Sequence, residues 1–397
     1  MSASVRPPSI PPARLFPHHP GKINLNAGTL HPTPISVVEA AERMRRDLNA
    51  QPSNFYWRAL QPLLESSRES LAAYLHTRPD ELLLLPNVTY AINLVVSSLS
   101  LLRGTEILLT DHDYGAMSLT LQRWTELRDW NLRSMELPFH PGITPDELFS
   151  AIRNAITPAT RVLFLYHVTS PTGIRLPLKE ICAYAREHDI LTIVDGAHAP
   201  GAIPVNLAEI GADFYAANLH KWLMCPVSGG FLHVSRHRRT DLRALITSWG
   251  WGYTRPEAFD PSPLGGQRWQ ADLEFHGTTD RIPQLVIPHA LQLREQLGGD
   301  AAIQAHMQHL ANHARKVIPL PCATAQHPDL ASPLLVFDFP LPNGTDCNTL
   351  RDRLYHEHHI ECPLTQAAGK TYLRVSTAIF NTESDIDSLA SAVRKLH

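Results

Sequence analysis

Between residues 80 and 235 the chain repeats a pattern that few folds can absorb: a short apolar run, an amphipathic stretch, then another apolar run. "ELLLLP" (81–86), "EILLT" (106–110), "TRVLFLYHV" (160–168), "ILTIVD" (190–195), "DFYAAN" (213–218) and "GGFLHVS" (229–235) read as strands. They are short for helices, and they lack the alternation of a strand with one wet face, so they must be covered on both sides. "VTYAINLVVSSLSLL" (88–102), "GAMSLTLQRWTELRDW" (115–130) and "PLKEICAYAREHD" (177–189) read as the covering helices. The expected class is α/β, with a mostly parallel sheet between two helical layers. Ligands in such sheets bind beyond the carboxyl ends of the strands. That rule points to Asn87 and to residues 111–114, 167–170 and 195–198.

After about residue 280 the pattern changes. Two helical stretches (284–298 and 300–317) precede the strand "PLLVFDF" (333–339). The helix "DCNTLRDRLYHEH" (346–358), the strand "TYLRVS" (371–376) and a last helix from about Glu383, capped by Thr382, complete a smaller α+β domain. The expected division is an arm over 1–21, a large domain over 22–280 and a small domain over 281–397. The arm is Pro-rich without an apolar centre, which is not the pattern of a signal peptide. Residues 247–270 carry Gly, Pro and aromatics without periodicity and read as an ordered loop between the domains.

Composition narrows the partners. A net charge of -3 and no basic stripe argue against nucleic acid. No apolar run approaches the roughly 20 residues of a membrane span. Five scattered cysteines without a CxxC pair predict a reducing, cytoplasmic setting and neither a disulfide framework nor a zinc site. "HEHH" at 356–359 follows a helical stretch and reads as a solvated surface, so no metal is expected.

The chemistry gathers at two strand ends. "VDGAHAPG" (194–201) ends an apolar strand on Asp195, and a carboxylate at that depth needs a cationic partner. One strand later, "AANLHKWLMCP" (216–226) sets a single lysine, Lys221, in an uncharged run. Pyridoxal phosphate suits that pair: a lysine forms a Schiff base with its aldehyde, and an acid pairs with its pyridinium nitrogen. Its phosphate favours a helix start, which "NVTYAIN" (87–93) supplies.

With "HDYGA" (112–116) and "HVTSPTG" (167–173), these motifs resemble the fold-type I pyridoxal-phosphate enzymes of the class V aminotransferase superfamily. The resemblance runs from about Asn24 to Leu396 and is greatest to the isopenicillin N epimerase-like branch, with cysteine desulfurases and C–S lyases as relatives. It implies a seven-stranded, mostly parallel sheet in the large domain. By motif, Lys221 becomes the Schiff-base lysine and the base at Cα, Asp195 the pyridinium partner, and His198 the contact to the phenolic oxygen. Val88, Thr89, His220 and Asn218 match the phosphate region, and Ser170 matches a polar contact to the ring oxygen. Tyr114 is favoured over His112 as the residue stacked on the pyridine. Thr278 in "FHGTTD" (275–280), with Thr279 as its neighbour in reserve, matches a loop that reaches the phosphate of a second subunit, which implies a homodimer with shared sites. Arg374 matches the arginine that grips the substrate α-carboxylate. Asn26, Gly28, Phe55 and Arg58 match segments lining the substrate entrance, with local packing an equal reading.

The resemblance implies an amino-acid-type substrate and epimerase-like Cα chemistry. β-Elimination at a cysteine conjugate or sulfoxide, transamination, cysteine desulfuration and a non-catalytic sensor are the alternatives. A desulfurase needs a nucleophilic thiol on a mobile loop. Cys362 lies in the corresponding region, but in "HIECPLTQAAGK" (359–370) it stands where the epimerase-like branch carries valine, and it reads, like Cys225, as a packed residue.

Overall fold

In the computed structural model, the apolar runs lie side by side as the strands of one sheet. The structure describes residues 12–17, 21–253, 268–341, 345–367 and 369–396. In chain order the strands are β1 (Ile23–Asn24), β2 (Leu82–Leu85), β3 (Glu106–Thr110), β4 (Asn131–Met135), β5 (Thr160–Tyr166), β6 (Leu191–Asp195), β7 (Phe214–Asn218), β8 (Gly230–Val234), β9 (Leu334–Asp338), β10 (Ile360–Glu361), β11 (Leu364–Ala367) and β12 (Lys370–Ser376). The large sheet has seven strands in the order β2-β8-β7-β6-β5-β3-β4, and only β8 runs against the others.

Both faces of this sheet are dry. Leu84, Leu165, Val194 and Tyr215 point into one cluster, and their chain neighbours Leu83, Phe164, Ile193 and Phe214 into the other. That period of two is why the strands read as unbroken apolar runs. β4 escaped the sequence reading because it is the edge strand, and in "NLRSM" only Met135 is buried. The helix Pro145–Ala155 also went unread, although Thr144 and Glu147 form a capping box at its start.

The second sheet is antiparallel, in the order β11-β12-β9, with the helices Gly299–Val317, Cys347–Glu357 and Glu383–Leu396 sharing its core. Thr382 caps the last helix, its Oγ accepting from the Asp385 N–H at 3.4 Å. The stretch read at 284–298 divides into Ile282–Leu285 and Ile287–Gln296, and both pack on the core of the large sheet. Of the loop read at 247–270, residues 254–267 lie outside the described residues, as do 1–11 and 18–20 of the arm. What flanks 254–267 is helical, Trp249–Tyr253 and Arg268–Glu274, in pieces too short to give a period. Among the described residues no helix is long and apolar enough to cross a membrane.

The N-terminal segment ties the two sheets together. β1 pairs in parallel with β10, and the Ser376 N–H donates to the Leu25 carbonyl at 2.8 Å. Further on, the His31 N–H donates to the carbonyl of His220, beside Lys221. Gly28 sits where the chains come closest: a Cβ there would lie 2.7 Å from Leu334 Cδ2 and 2.9 Å from Ser376 Oγ.

Candidate active site

Beyond the carboxyl ends of β3, β5, β6 and β7 lies a cavity of about 550 Å³. Its wall includes Asp195, His198, Lys221 and Arg374.

Asp195 ends β6 and is only 3% exposed. Its Oδ1 accepts from the Ala197 N–H at 2.8 Å. Burial raises its pKa to about 6, opposed by that backbone bond and by the charge of Lys221. Lys221 follows β7, with Nζ 3.1 Å from His198 Nε2. Burial lowers the lysine to about 8, opposed by Asp195. His198 is held well below its usual value by burial and then by the two nearby cations, so it is neutral, and its buried Nδ1 has no partner.

At the end of β2, Asn87 caps the helix Val88–Ser98 by accepting from the Tyr90 N–H at 2.9 Å. The Val88 N–H donates to Asn218 Oδ1 at 3.0 Å, which pins the turn to β7. This leaves Thr89, whose N–H is one of the unpaired donors of a helix start, on the cavity wall.

Tyr114 stands at the start of the helix Gly115–Arg128, 49% exposed, with its ring centroid 6.0 Å from Lys221 Nζ. Its N–H donates to Tyr166 Oη at 3.1 Å. His112 is fully buried away from the cavity, on Thr172 Oγ1 and against the Phe139 ring.

Arg374 comes from β12 and is 5% exposed. Its Nη1 donates to the carbonyl and Oγ of Ser170, and its Nη2 to Asn26 Oδ1 and Thr29 Oγ1. All four acceptors are neutral and its Nε has no partner. Burial, the first cause, lowers its pKa to about 10. Among the described residues neither Arg374 nor Lys221 forms an ion pair with a carboxylate. Burying a cation without its counter-charge is costly, so Arg374, whose acceptors are all neutral, is built for an anionic ligand, whereas Lys221 has the charge of Asp195 to oppose its burial.

The structure thus brings together Gly28, Val88, Thr89, Tyr114, Ser170, Asp195, His198, Asn218, His220, Lys221 and Arg374, with Asn26 holding the arginine. Phe55 is elsewhere: it is 6% exposed, packs into the core of the large sheet and lines a separate surface hollow with Met44 and Leu63. Arg58, on the same π-helical turn, is exposed. Thr278 is exposed off the cavity, while the Thr279 carbonyl accepts from Tyr56 Oη at 2.6 Å. Cys362 is fully buried, with Sγ donating to the Arg374 carbonyl at 3.3 Å, and burial raises its pKa. Cys225 is fully buried too, and no cysteine of the described residues lines the cavity.

Sequence reasoning passed over Thr29, Tyr166, Thr365 and Gln366, which also line the cavity, as does Asp113, to which the strand-end rule pointed without giving it a role. Tyr166 could have been found, since it ends β5, one residue before the stretch 167–170 that the strand-end rule selects. Burial raises Asp113 to about 7, opposed first by the hydrogen bond from Ser118.

The donor set fits pyridoxal phosphate. An acid, an amine with a lowered pKa, an unpartnered imidazole nitrogen, an open ring face and a helix start converge on one cavity, and a separate cation is left for a carboxylate.

Comparison with known proteins agrees. The family described as aminotransferase class-V matches residues 23–389. An isopenicillin N epimerase of Amycolatopsis lactamdurans is 38% identical, over 95% of this chain and 96% of that protein. The Streptomyces clavuligerus isopenicillin N epimerase is 37% identical, over 95% of each chain. A putative L-cysteine desulfhydrase of Oryza sativa is more distant, at 26% identity over 96% of this chain and 84% of its own. Among solved structures, a mutant of C-DES with glycine linked covalently to its pyridoxal-phosphate cofactor superposes with a TM-score of 0.82 at 22% identity, covering 96% of this chain and 98% of that one. The cysteine desulfurase CsdA of Escherichia coli gives 0.79 at 22%, covering 98% of each chain. The chain therefore belongs to the aminotransferase class-V family, is similar within it to the isopenicillin N epimerases, and is a pyridoxal-phosphate-dependent enzyme acting on amino-acid chemistry.

Proposed function

We propose that this enzyme moves the Cα proton of an amino acid or amino-acid conjugate in an isopenicillin N epimerase-like reaction. The observation that carries the reading is one cavity wall that holds Lys221, an amine with a lowered pKa, together with Arg374, a buried cation whose acceptors are all neutral.

When bound, pyridoxal phosphate supplies an aldehyde that condenses with an amine and a protonated ring that takes up the electron pair of a broken Cα bond. Lys221 would hold that aldehyde, with Nζ 3.1 Å from His198 Nε2. Its lowered pKa of about 8 then makes the neutral amine available to accept the Cα proton. Asp195, ionised above about pH 6, keeps the proton on the ring nitrogen. His198 would donate to the phenolic oxygen, and Ser170 steadies Arg374 on the substrate side. Thr89 and His220 would hold the phosphate, and Asn218 fixes the turn that carries Val88 and Thr89. Arg374 exchanges neutral acceptors for the α-carboxylate, a bidentate and charge-assisted gain. Asn26 and Gly28 belong to the strap at the entrance.

In this reading residues 22–280 carry the cofactor, 281–397 supply Arg374, and the enzyme is a cytoplasmic homodimer. The exposed Thr278 reaches the phosphate of the partner subunit. β-Elimination shares the first proton removal and differs only in a leaving group on Cβ. A persulfide-forming thiol has no support, because Cys362 is sealed in the core.

The test is the holoenzyme in deuterated water with L-amino acids and cysteine conjugates. Deuterium at Cα with changed optical rotation is the expected result. Pyruvate and ammonia would assign elimination instead, and a persulfide on Cys362 would overturn the reading of that thiol.

A further inference from the structure

The cavity has one amine to move a proton, and inversion at Cα requires proton delivery on the other face as well. We infer that Tyr114 is the second acid–base group. The inference rests on the proposed function, since it names the residue that completes the same reaction.

The geometry points to it in three ways. The 6.0 Å between Lys221 Nζ and the Tyr114 ring centroid leaves room for one planar layer. A flat group lying on the ring at about 3.5–4 Å presents its other face to Lys221. Lysine and tyrosine therefore address opposite faces. Secondly, Tyr114 lines the same cavity as Arg374, the cation left for the substrate carboxylate, so its ring shares the wall that the substrate meets. Thirdly, its Oη takes no hydrogen bond from the described residues, and the side chain is half exposed, so it can exchange protons with water.

Three other acid–base groups on the wall are placed differently. His198 touches Lys221 and shares its side. Asp113 turns its oxygens to Thr110 and Ser118. Tyr166 is buried, accepting from the Tyr114 N–H, and so holds the backbone of Tyr114 in place.

The step balances. The neutral Lys221 amine takes the Cα proton and becomes an ammonium, and the electron pair of that bond stays with the substrate. The Tyr114 O–H delivers its proton to the opposite face, the pair forms the new C–H bond, and a phenolate remains. Lys221 then loses a proton to water and Tyr114 regains one. The reverse inversion runs the same steps backwards.

Tyr114→Phe keeps the ring and removes the proton. The experiment follows L-alanine and D-alanine with the holoenzyme in deuterated water by NMR, alongside cofactor titration by visible absorbance. The wild type is expected to exchange Cα–H in both enantiomers. Tyr114→Phe is expected to keep the cofactor affinity within about twofold and the exchange of one enantiomer, while exchange of the other falls on the order of 10²–10⁴-fold. Equal retention of both enantiomers by Tyr114→Phe would overturn the assignment. Equal loss of both, with weakened cofactor binding, would reduce Tyr114 to a stacking plate and overturn it too. A wild type that binds the cofactor but exchanges neither alanine nor any amino acid of the panel would contradict the proposed function itself.

Discussion

The two halves of the cavity are built differently. The cofactor half, Asp195, His198 and Lys221, comes from neighbouring strand ends of one sheet within 27 positions of sequence, 195 to 221. The substrate half hangs on Arg374, whose hydrogen bonds run to Asn26, Thr29 and Ser170, the furthest of them 348 positions away in sequence. Strand register in a sheet dry on both faces fixes the first half. The second is held by long-range polar contacts to neutral groups, each worth about 1.5–3 kcal/mol when charge-assisted. The first half can therefore be rigid before substrate arrives, while the second is free to trade its acceptors for a carboxylate.

The largest effect that separates the halves is Lys221→Ala. It should abolish the visible absorbance band and reduce Cα exchange by more than about 10³-fold. Arg374→Gln should instead leave the band in place and raise KM by about 10–100-fold, the loss of one or two charge-assisted bonds. Equal effects on band and KM from either variant would erase the distinction.

The same contrast governs what the sequence discloses. The cofactor half lies in short motifs at strand ends, so Asp195 and Lys221 stand out as charges in apolar runs. The sheet is legible for the same reason, apart from the polar edge strand β4. Arg374 is an arginine on a strand, and only resemblance marks it. Thr365 and Gln366 carry no local signal at all, because what brings them to the cavity is the edge of the second sheet, and Thr29 is marked only through the resemblance of the N-terminal segment around Asn26 and Gly28. Phe55 shows the opposite limit: a motif match located the segment, but an apolar ring on a helical turn was drawn into the core.

Smaller effects sharpen the picture. Burial lowers the folded pKa of Lys221 from 10.5 to about 8, so between these values the unfolded chain binds the extra proton and stability rises with pH. Below about pH 8 the apoprotein carries the full penalty of a buried ammonium. Apo Lys221→Met should accordingly melt above apo wild type at pH 7, and the gap should close as pH rises towards 10.5. Identical gaps at both pH values in thermal scans would refute this. Gly28→Ala should cost about 1–3 kcal/mol of stability, because its Cβ meets Leu334 and Ser376. It should raise KM while sparing cofactor affinity. Least of all, Cys362→Ala should keep activity within about twofold and lower stability by about 1–2 kcal/mol through a small cavity. Loss of turnover in that variant would reinstate the thiol.

The most direct measurement is where the cofactor attaches. Wild-type protein loaded with pyridoxal phosphate, reduced with borohydride and digested, should carry the reduced cofactor on the peptide that contains Lys221, and Lys221→Ala should carry none there. Cofactor fixed to a different lysine, or none fixed in a wild type that nevertheless turns over, would contradict the account.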